Sequence, residues 1–378
     1  MSEKIHLRGM TWDHSRGYDP MVATATAFQS IHPHVEIHWE KRSLQAFADR
    51  PIEDMASKYD LMVIDYPHVG EVARGGHLLP LDIAQYTDAL AALSKHSVGG
   101  SHASYQYDGR QWALAIDAAT PVAALRPDRM DFVPRTWAEV IDLARHSRVG
   151  FALKPINALM TFMGLAKNKG YSLAEGDDFL SPEQSTDILE YLAEIADLMD
   201  SRCLDMDPIA IYEWMSRTDD GPDYSPWGYG YTNYSRAGYC RFPLNFVNAP
   251  GFGTNGPKGT VIGGTGIAVS AQTKFPKIAL EYAYWIAGET CQKGLFFDAG
   301  GQPAHALAWE DPRLNQLTRN FFSATRETLE TSWVRPRYDG YMAFQDRGGD
   351  IINQYLKRTS SLAQAVNDLQ TAYRESRS

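Results

Sequence analysis

Gly263-Gly264-Thr265-Gly266-Ile267-Ala268-Val269-Ser270, running on into Phe275-Pro276-Lys277-Ile278-Ala279-Leu280-Glu281-Tyr282-Ala283-Tyr284-Trp285-Ile286, is the stretch that decides the fold. Ile267-Ala268-Val269 suits a short buried strand. Pro276 fits the first position of a helix, because its missing N–H would be unpaired there in any case. Tyr282, Trp285 and Ile286 then give that helix an apolar stripe. Glycines, strand, turn and helix read as one packed unit.

Working outward, the first third of the chain alternates strand and helix. Residues 5–10 predict a strand, and Asp19-Pro20 predicts a helix start with the acid as cap. Met21, Thr24, Ala25 and Phe28 recur at helical spacing up to Pro33. Val35, Ile37 and Trp39 alternate with His34, Glu36 and His38, the pattern of a strand with one dry face. Leu61-Met62-Val63-Ile64 is a continuous apolar run, as in a parallel strand covered by helices. An open parallel sheet follows, with ligands expected beyond the carboxyl ends of its strands. The later chain repeats this grammar. Thr136-Trp137-Ala138-Glu139 is a capping box, Phe151-Ala152-Leu153 a short strand, and Ser181 and Ser361 are helix caps.

The chain is 378 residues long, more than one core usually holds, so two lobes are expected. Its formal net charge of −10 argues against a nucleic-acid partner, since phosphate neutralisation needs a basic surface. No apolar run approaches the roughly 20 residues of a membrane span. Cys203, Cys240 and Cys291 are widely spaced and form no CxxC pair, so they read as buried thiols, with one disulfide left open. His32, His34 and His38 read as a solvated strand face, and no metal or other cofactor is expected. Neither a phosphate-binding Gly-x-x-x-x-Gly-Lys motif nor a Gly-x-Ser-x-Gly elbow is present.

Seven landmarks stand in register along the chain: Phe28–Ile37, Tyr59–Asp65, Gly76–Asp82, Tyr107–Leu114, Pro134–Val140, Gly300–Pro303 and Arg335–Arg337. Together with the Gly263 segment they resemble the extracellular solute-binding proteins of family 1, the sugar-binding components of ABC importers. That resemblance implies an α/β fold of the periplasmic-binding-protein-like type II, two lobes with a hinge and an inter-lobe ligand cleft. It divides the chain into residues 1–116 and 264–306 for one lobe and 117–263 and 307–378 for the other. It also implies capture of a small polar solute, a sugar or polyol, by hinge closure, without catalysis. The partners implied are ABC permease membrane subunits, and the protein itself is expected to be a monomer.

Location follows the same comparison. Relatives are periplasmic, but Met1-Ser2-Glu3-Lys4 leads almost at once into the first strand, without a basic-then-apolar leader. Either a leader was removed or the natural chain stays in the cytoplasm unless exported by another route.

Candidate ligand-binding residues come from the turns after the first three strands: Trp12 and His14, Ser43 and Gln45, Asp65 and Tyr66. Aromatic faces suit the C–H faces of a sugar, and carboxylates accept strongly from hydroxyls. For Asp65 a helix-cap role is the alternative. Trp227, Tyr229 and Tyr231 come from the aromatic run Tyr224–Tyr234, which follows neither a helical nor a simple strand period. Asp117, Thr120, Gly264 and Thr265 lie at the expected lobe crossings, and Asn157 follows Phe151–Pro155. Arg337 and Tyr338 come from the late segment, where an arginine would clamp a carboxylate or diol with paired N–H donors. Two rivals stand beside this reading: an enzyme on the same scaffold, using acids such as Asp65, Asp117 and Glu213, and a cytoplasmic ligand sensor.

Overall fold

A computed structural model describes residues 4–43, 52–146 and 148–377. In chain order its strands are β1 (Ile5–Trp12), β2 (Val35–Arg42), β3 (Leu61–Ile64), β4 (Gln106–Tyr107), β5 (Arg110–Gln111), β6 (Leu114–Ala119), β7 (Pro121–Leu125), β8 (Tyr224–Tyr229), β9 (Asn245–Val247) and β10 (Gly263–Val269). The chain forms two compact units. Unit 1 comprises Met1–Ala119, Gly263–Leu314 and Arg337–Asp339; unit 2 comprises Thr120–Ile262, Asn315–Pro336 and Gly340–Ser378. Divisions fall at 119/120 and 314/315, against 116/117 and 306/307 in the sequence reading; another lies at 262/263, against 263/264, and Arg337–Asp339 joins unit 1 although residues 307–378 were expected in the other lobe. The division at 314/315 runs later because the segment beyond Ala306 is tied into unit 1. Trp309 Nε1 donates to the Pro303 carbonyl at 2.7 Å, and Arg313 pairs with Asp298 at 2.8 Å.

The sheet of unit 1 has the order β2-β1-β3-β10-β6. β1, β2 and β3 are parallel, while β10 runs antiparallel to both β3 and β6. The expected all-parallel sheet is therefore mixed, because β10 enters from unit 2 and runs against its neighbours. β2 keeps the alternation read from its sequence, with Val35, Ile37 and Trp39 buried and Glu36 and His38 exposed. Asp108 and Gly109 both take positive φ (49° and 71°), which closes the β4–β5 hairpin as the Asp-Gly pair suggests.

The first helix departs from its predicted start. It runs Ser15–Ile31, with His14 rather than Asp19 as cap: His14 Nδ1 accepts from the Arg16 amide at 3.0 Å, and Pro20 lies inside the helix. Beginning a turn earlier carries Arg16 into the interior. Farther along the same helix, Phe28 meets Tyr282 of the Pro276–Ala287 helix edge-on, with ring centroids 5.1 Å apart. Thr24 Oγ1 and the Tyr282 hydroxyl share a hydrogen bond of 2.8 Å. Burial of each such ring contributes about 2 kcal/mol, and the hydroxyls satisfy each other instead of being left dry.

Unit 2 has a three-stranded antiparallel sheet, β8-β7-β9. The capping box is present in full: Thr136 Oγ1 accepts from the Glu139 amide, and the Glu139 carboxylate accepts from the Thr136 amide. Ser181 and Ser361 cap their helices as expected. Phe151–Leu153 is not a strand. It is buried, and the Leu153 amide and carbonyl bond to the Cys203 carbonyl and the Asn353 side-chain amide instead of to a ladder. Its neighbour, the Pro155–Lys169 helix, is apolar nearly all round and sits in the core. The three cysteines are free thiols, and burial pushes Cys203 up to about 11 and Cys291 up to about 12.

Two measurements check these contacts. His102 in unit 1 is buried, and burial pushes its pKa down to about 4. The unfolded chain binds this proton near pH 6.5 and the folded chain does not. The contribution is thus complete above about pH 6.5 and declines as pH falls toward 4, by up to about 3 kcal/mol. Urea melts across that range are expected to show the loss, and His102→Gln to flatten it. Separately, Gly264 has φ +97°, and a Cβ there would lie 2.2 Å from the Asp117 carbonyl oxygen. Gly264→Ala is expected to lower the urea-derived stability by more than about 1 kcal/mol.

Candidate functional site

Register brings several turns of unit 1 to one sheet edge. Met10 pairs with Met62, Ile64 with Gly266, and Ala118 with Gly264. The carboxyl ends of β1, β3 and β6 and the start of β10 therefore lie at the same end of the sheet. This places Trp12, His14, Asp65, Tyr66, Asp117, Gly264 and Thr265 along it. Ser43 is exposed at the end of β2, and Gln45 lies outside the described residues.

Trp12 closes β1 and is only 4% exposed. Its ring stacks on the His14 imidazole, with centroids 5.4 Å apart and planes 10° from parallel. Gly17 permits this placement, since a Cβ there would fall 2.3 Å from the indole. Asp65 serves as the cap that was its alternative role, its Oδ1 accepting from the Tyr66 amide at 2.9 Å. Tyr66 is buried edge-on to Tyr105, whose hydroxyl donates to the Ile64 carbonyl.

The sequence offered Asp117 as a ligand contact, but its carboxylate is taken. Arg16, missed in the sequence, donates to it from Nε at 2.7 Å and Nη2 at 2.5 Å. Both side chains are almost fully buried, at 3% and 4% exposure. Burial pushes the Asp117 carboxyl above its ordinary range, and the guanidinium opposes that push. Arg16 also lies over the Trp12 ring at 5.9 Å. One signal was available: an aspartate inside the apolar strand Leu114–Ala119 requires a partner for its charge. Gly264 likewise has a reason other than a nearby ligand, because it lets β10 approach the β6 backbone.

In unit 2, Trp227 belongs to strand β8 instead of a loop and is 3% exposed. It packs against Trp137 at 5.7 Å and over Gly164, so its ring is core rather than a free sugar platform. Its run defied a strand period because all but the last residue of β8 are buried, on both faces. Tyr229, which ends that strand, is half-buried, while Tyr231 is buried beside Tyr212 and Tyr234. The Thr120 hydroxyl shares a 2.6 Å hydrogen bond with that of Thr260. Asn157 lies in the first turn of the Pro155–Lys169 helix, and its buried Oδ1 has no hydrogen-bond partner among the described residues. Arg335 is buried on Gln345 at 2.6 Å.

Arg337 belongs to unit 1 and clamps backbone. Its Nη1 donates to the carbonyls of Ala103, Ser104 and Gln106, at 3.1, 2.8 and 2.6 Å. Tyr338 beside it is half-buried, and this segment rests on Gly70. Among the described residues no group of three His, Cys, Asp or Glu side chains is placed to hold a metal, and no helix is long and apolar enough to cross a membrane.

Two α/β units, one presenting aromatic and polar turns at the carboxyl ends of its sheet, define a ligand-binding protein of the two-lobed type. The family model for bacterial extracellular solute-binding proteins matches residues 23–312, and the chain belongs to that family. No curated protein matches the sequence. Among solved structures, maltose-bound MalE3 of T. maritima superposes with a TM-score of 0.82 at 14% identity, over 98% of this chain and 99% of that one. An ABC transporter solute-binding protein of Agrobacterium radiobacter K84, in complex with ribitol, gives 0.79 at 18% identity and 99% of both chains. Another from Thermotoga lettingae TMO, bound with α-D-tagatose, gives 0.81 at 13% identity, over 99% of this chain and 100% of that one. These likenesses establish the two-lobed fold.

The Arg16–Asp117 pair yields a stability test. Asp117→Asn strands a buried guanidinium without its carboxylate, and a loss of about 3 kcal/mol is expected in urea melts. Replacing both partners, Arg16→Met with Asp117→Leu, is expected to recover most of that loss.

Proposed function

We propose that this solute-binding protein takes a sugar or polyol and serves an ABC importer, delivering its cargo to the permease subunits as a periplasmic monomer. The observation that carries this reading is the convergence of Trp12, His14, Asp65 and Tyr66 at one sheet edge of unit 1. The half-buried His14 ring, backed by the buried Trp12 indole, offers a flat face, and the neighbouring polar groups offer donors and acceptors for hydroxyls. From unit 2 we assign Asn157, whose buried carbonyl oxygen lacks a partner, together with Tyr229 and Tyr231. The neighbours found with maltose, ribitol and tagatose support a neutral polyhydroxylated cargo.

Binding without catalysis is the better account of the acids. Asp117 is held by Arg16, and Asp65 caps Tyr66. Glu213 is bonded by Arg217 and by the Tyr234 hydroxyl. A hydrolytic pair needs one carboxyl free to donate a proton and another free to attack or to activate water. Each of these three is already engaged in holding structure.

A thermal-shift screen on protein freed of ligand by unfolding and refolding tests the reading. A true cargo at a hundred times its Kd stabilises the fold by about 2.7 kcal/mol, and the melting point continues to rise with concentration. Trp12→Ala is expected to weaken that response at least about tenfold in apparent Kd. A panel of sugars and polyols that all leave the melting point unmoved overturns the cargo class. Mass spectra showing a glycoside cleaved on incubation would overturn the non-catalytic reading.

A further inference from the structure

From the surroundings of Arg337 we infer a second ligand site in unit 1, a recess that takes the carboxylate of a small organic acid. The recess has a volume of about 380 Å³ and is lined by the β4–β5 hairpin, Asp82, Leu90 and Arg337. None of Trp12, His14, Asp65 or Tyr66 lines it. Its volume lies in the range of small-molecule pockets.

The Arg337 guanidinium is engaged on one side only. One nitrogen, Nη1, is occupied by three backbone carbonyls, which fixes the plane and position of the group. Among the described residues no carboxylate pairs with Arg337, and neither Nε nor Nη2 bonds to anything. These two donors form the side-on fork that matches the two oxygens of a carboxylate. Burial makes the lone cation costly, which a bound anion would relieve.

The other charges on the wall do not serve that purpose. Asp82 is engaged by Arg110 at 2.8 Å and by the Gln111 amide at 3.1 Å. Asp108 sits at the exposed hairpin tip. Gln111, also on the wall, has a buried Oε1 with no partner among the described residues, an acceptor suited to a hydroxyl beside the carboxylate. A short hydroxy acid or sugar acid combines both features.

Isothermal titration with matched pairs too small to serve as the polyhydroxylated cargo tests this: sodium glycolate against ethylene glycol, and sodium lactate against 1,2-propanediol. The acid of each pair is expected to bind at least about tenfold more tightly than its neutral partner. Arg337→Lys keeps an ammonium to hold the carbonyls but removes the fork, and is expected to abolish that preference. Leu90→Trp fills the recess without touching Arg337 and is expected to do the same, so one variant decides if the other misfolds. Acids that bind no better than their neutral partners, or a preference surviving in a folded variant, overturn the proposal. The melting response of the unaltered protein to neutral sugars is a separate readout, so failure of the recess does not register as failure of the cargo reading.

Discussion

Strand β10 lies between β3 and β6 with its backbone against the Asp117 carbonyl, and a side chain at position 264 has no room there. Much of unit 1 depends on that close approach. It completes the sheet with a strand from a distant part of the chain and levels the ends of β1, β3 and β6. It also brings the glycine segment beside Asp117. A left-handed φ and a carbonyl 2.2 Å from the would-be Cβ are two independent demands that glycine meets.

The same edge carries a buried charge pair, which shapes the site in a less obvious way. Arg16 and Asp117 join the first helix to β6 through two hydrogen bonds, and Arg16 lies over the Trp12 ring. A buried pair of this kind adds little net stability compared with apolar residues, because desolvation offsets most of the attraction. Its effect is on position. The helix start, the indole and the strand end are set relative to one another by groups that are themselves buried.

Much of the architecture was legible because it rests on local rules. The Thr136–Glu139 capping box, the Ser181 and Ser361 caps and the alternation of β2 all came directly from residue type and spacing. The site was legible in part. Position after a strand puts the candidate residues Trp12, His14, Asp65 and Tyr66 at one edge, since parallel strands share a carboxyl end. Trp227 misled because an aromatic-rich run reads alike whether it lines a pocket or fills a core. Only Gly164 and Trp137, far away in sequence, place it in the core. Phe151–Leu153 misled for a similar reason, its backbone being satisfied by loop and side-chain groups that no local pattern announces.

By itself, then, the sequence determined the α/β class, the division into two bodies and the positions of several strands and helices, among them β1, β2, β3 and β10, because propensity, capping and hydrophobic period act over a few residues. Tertiary structure alone decided which polar groups remain available. Asp117 went to Arg16, Thr120 to Thr260, and one nitrogen of Arg337 to three carbonyls, across gaps of 101, 140 and more than 230 residues. Hydrogen bonds and charges are satisfied by whatever lies near in space, and over such distances chain order carries no information about nearness.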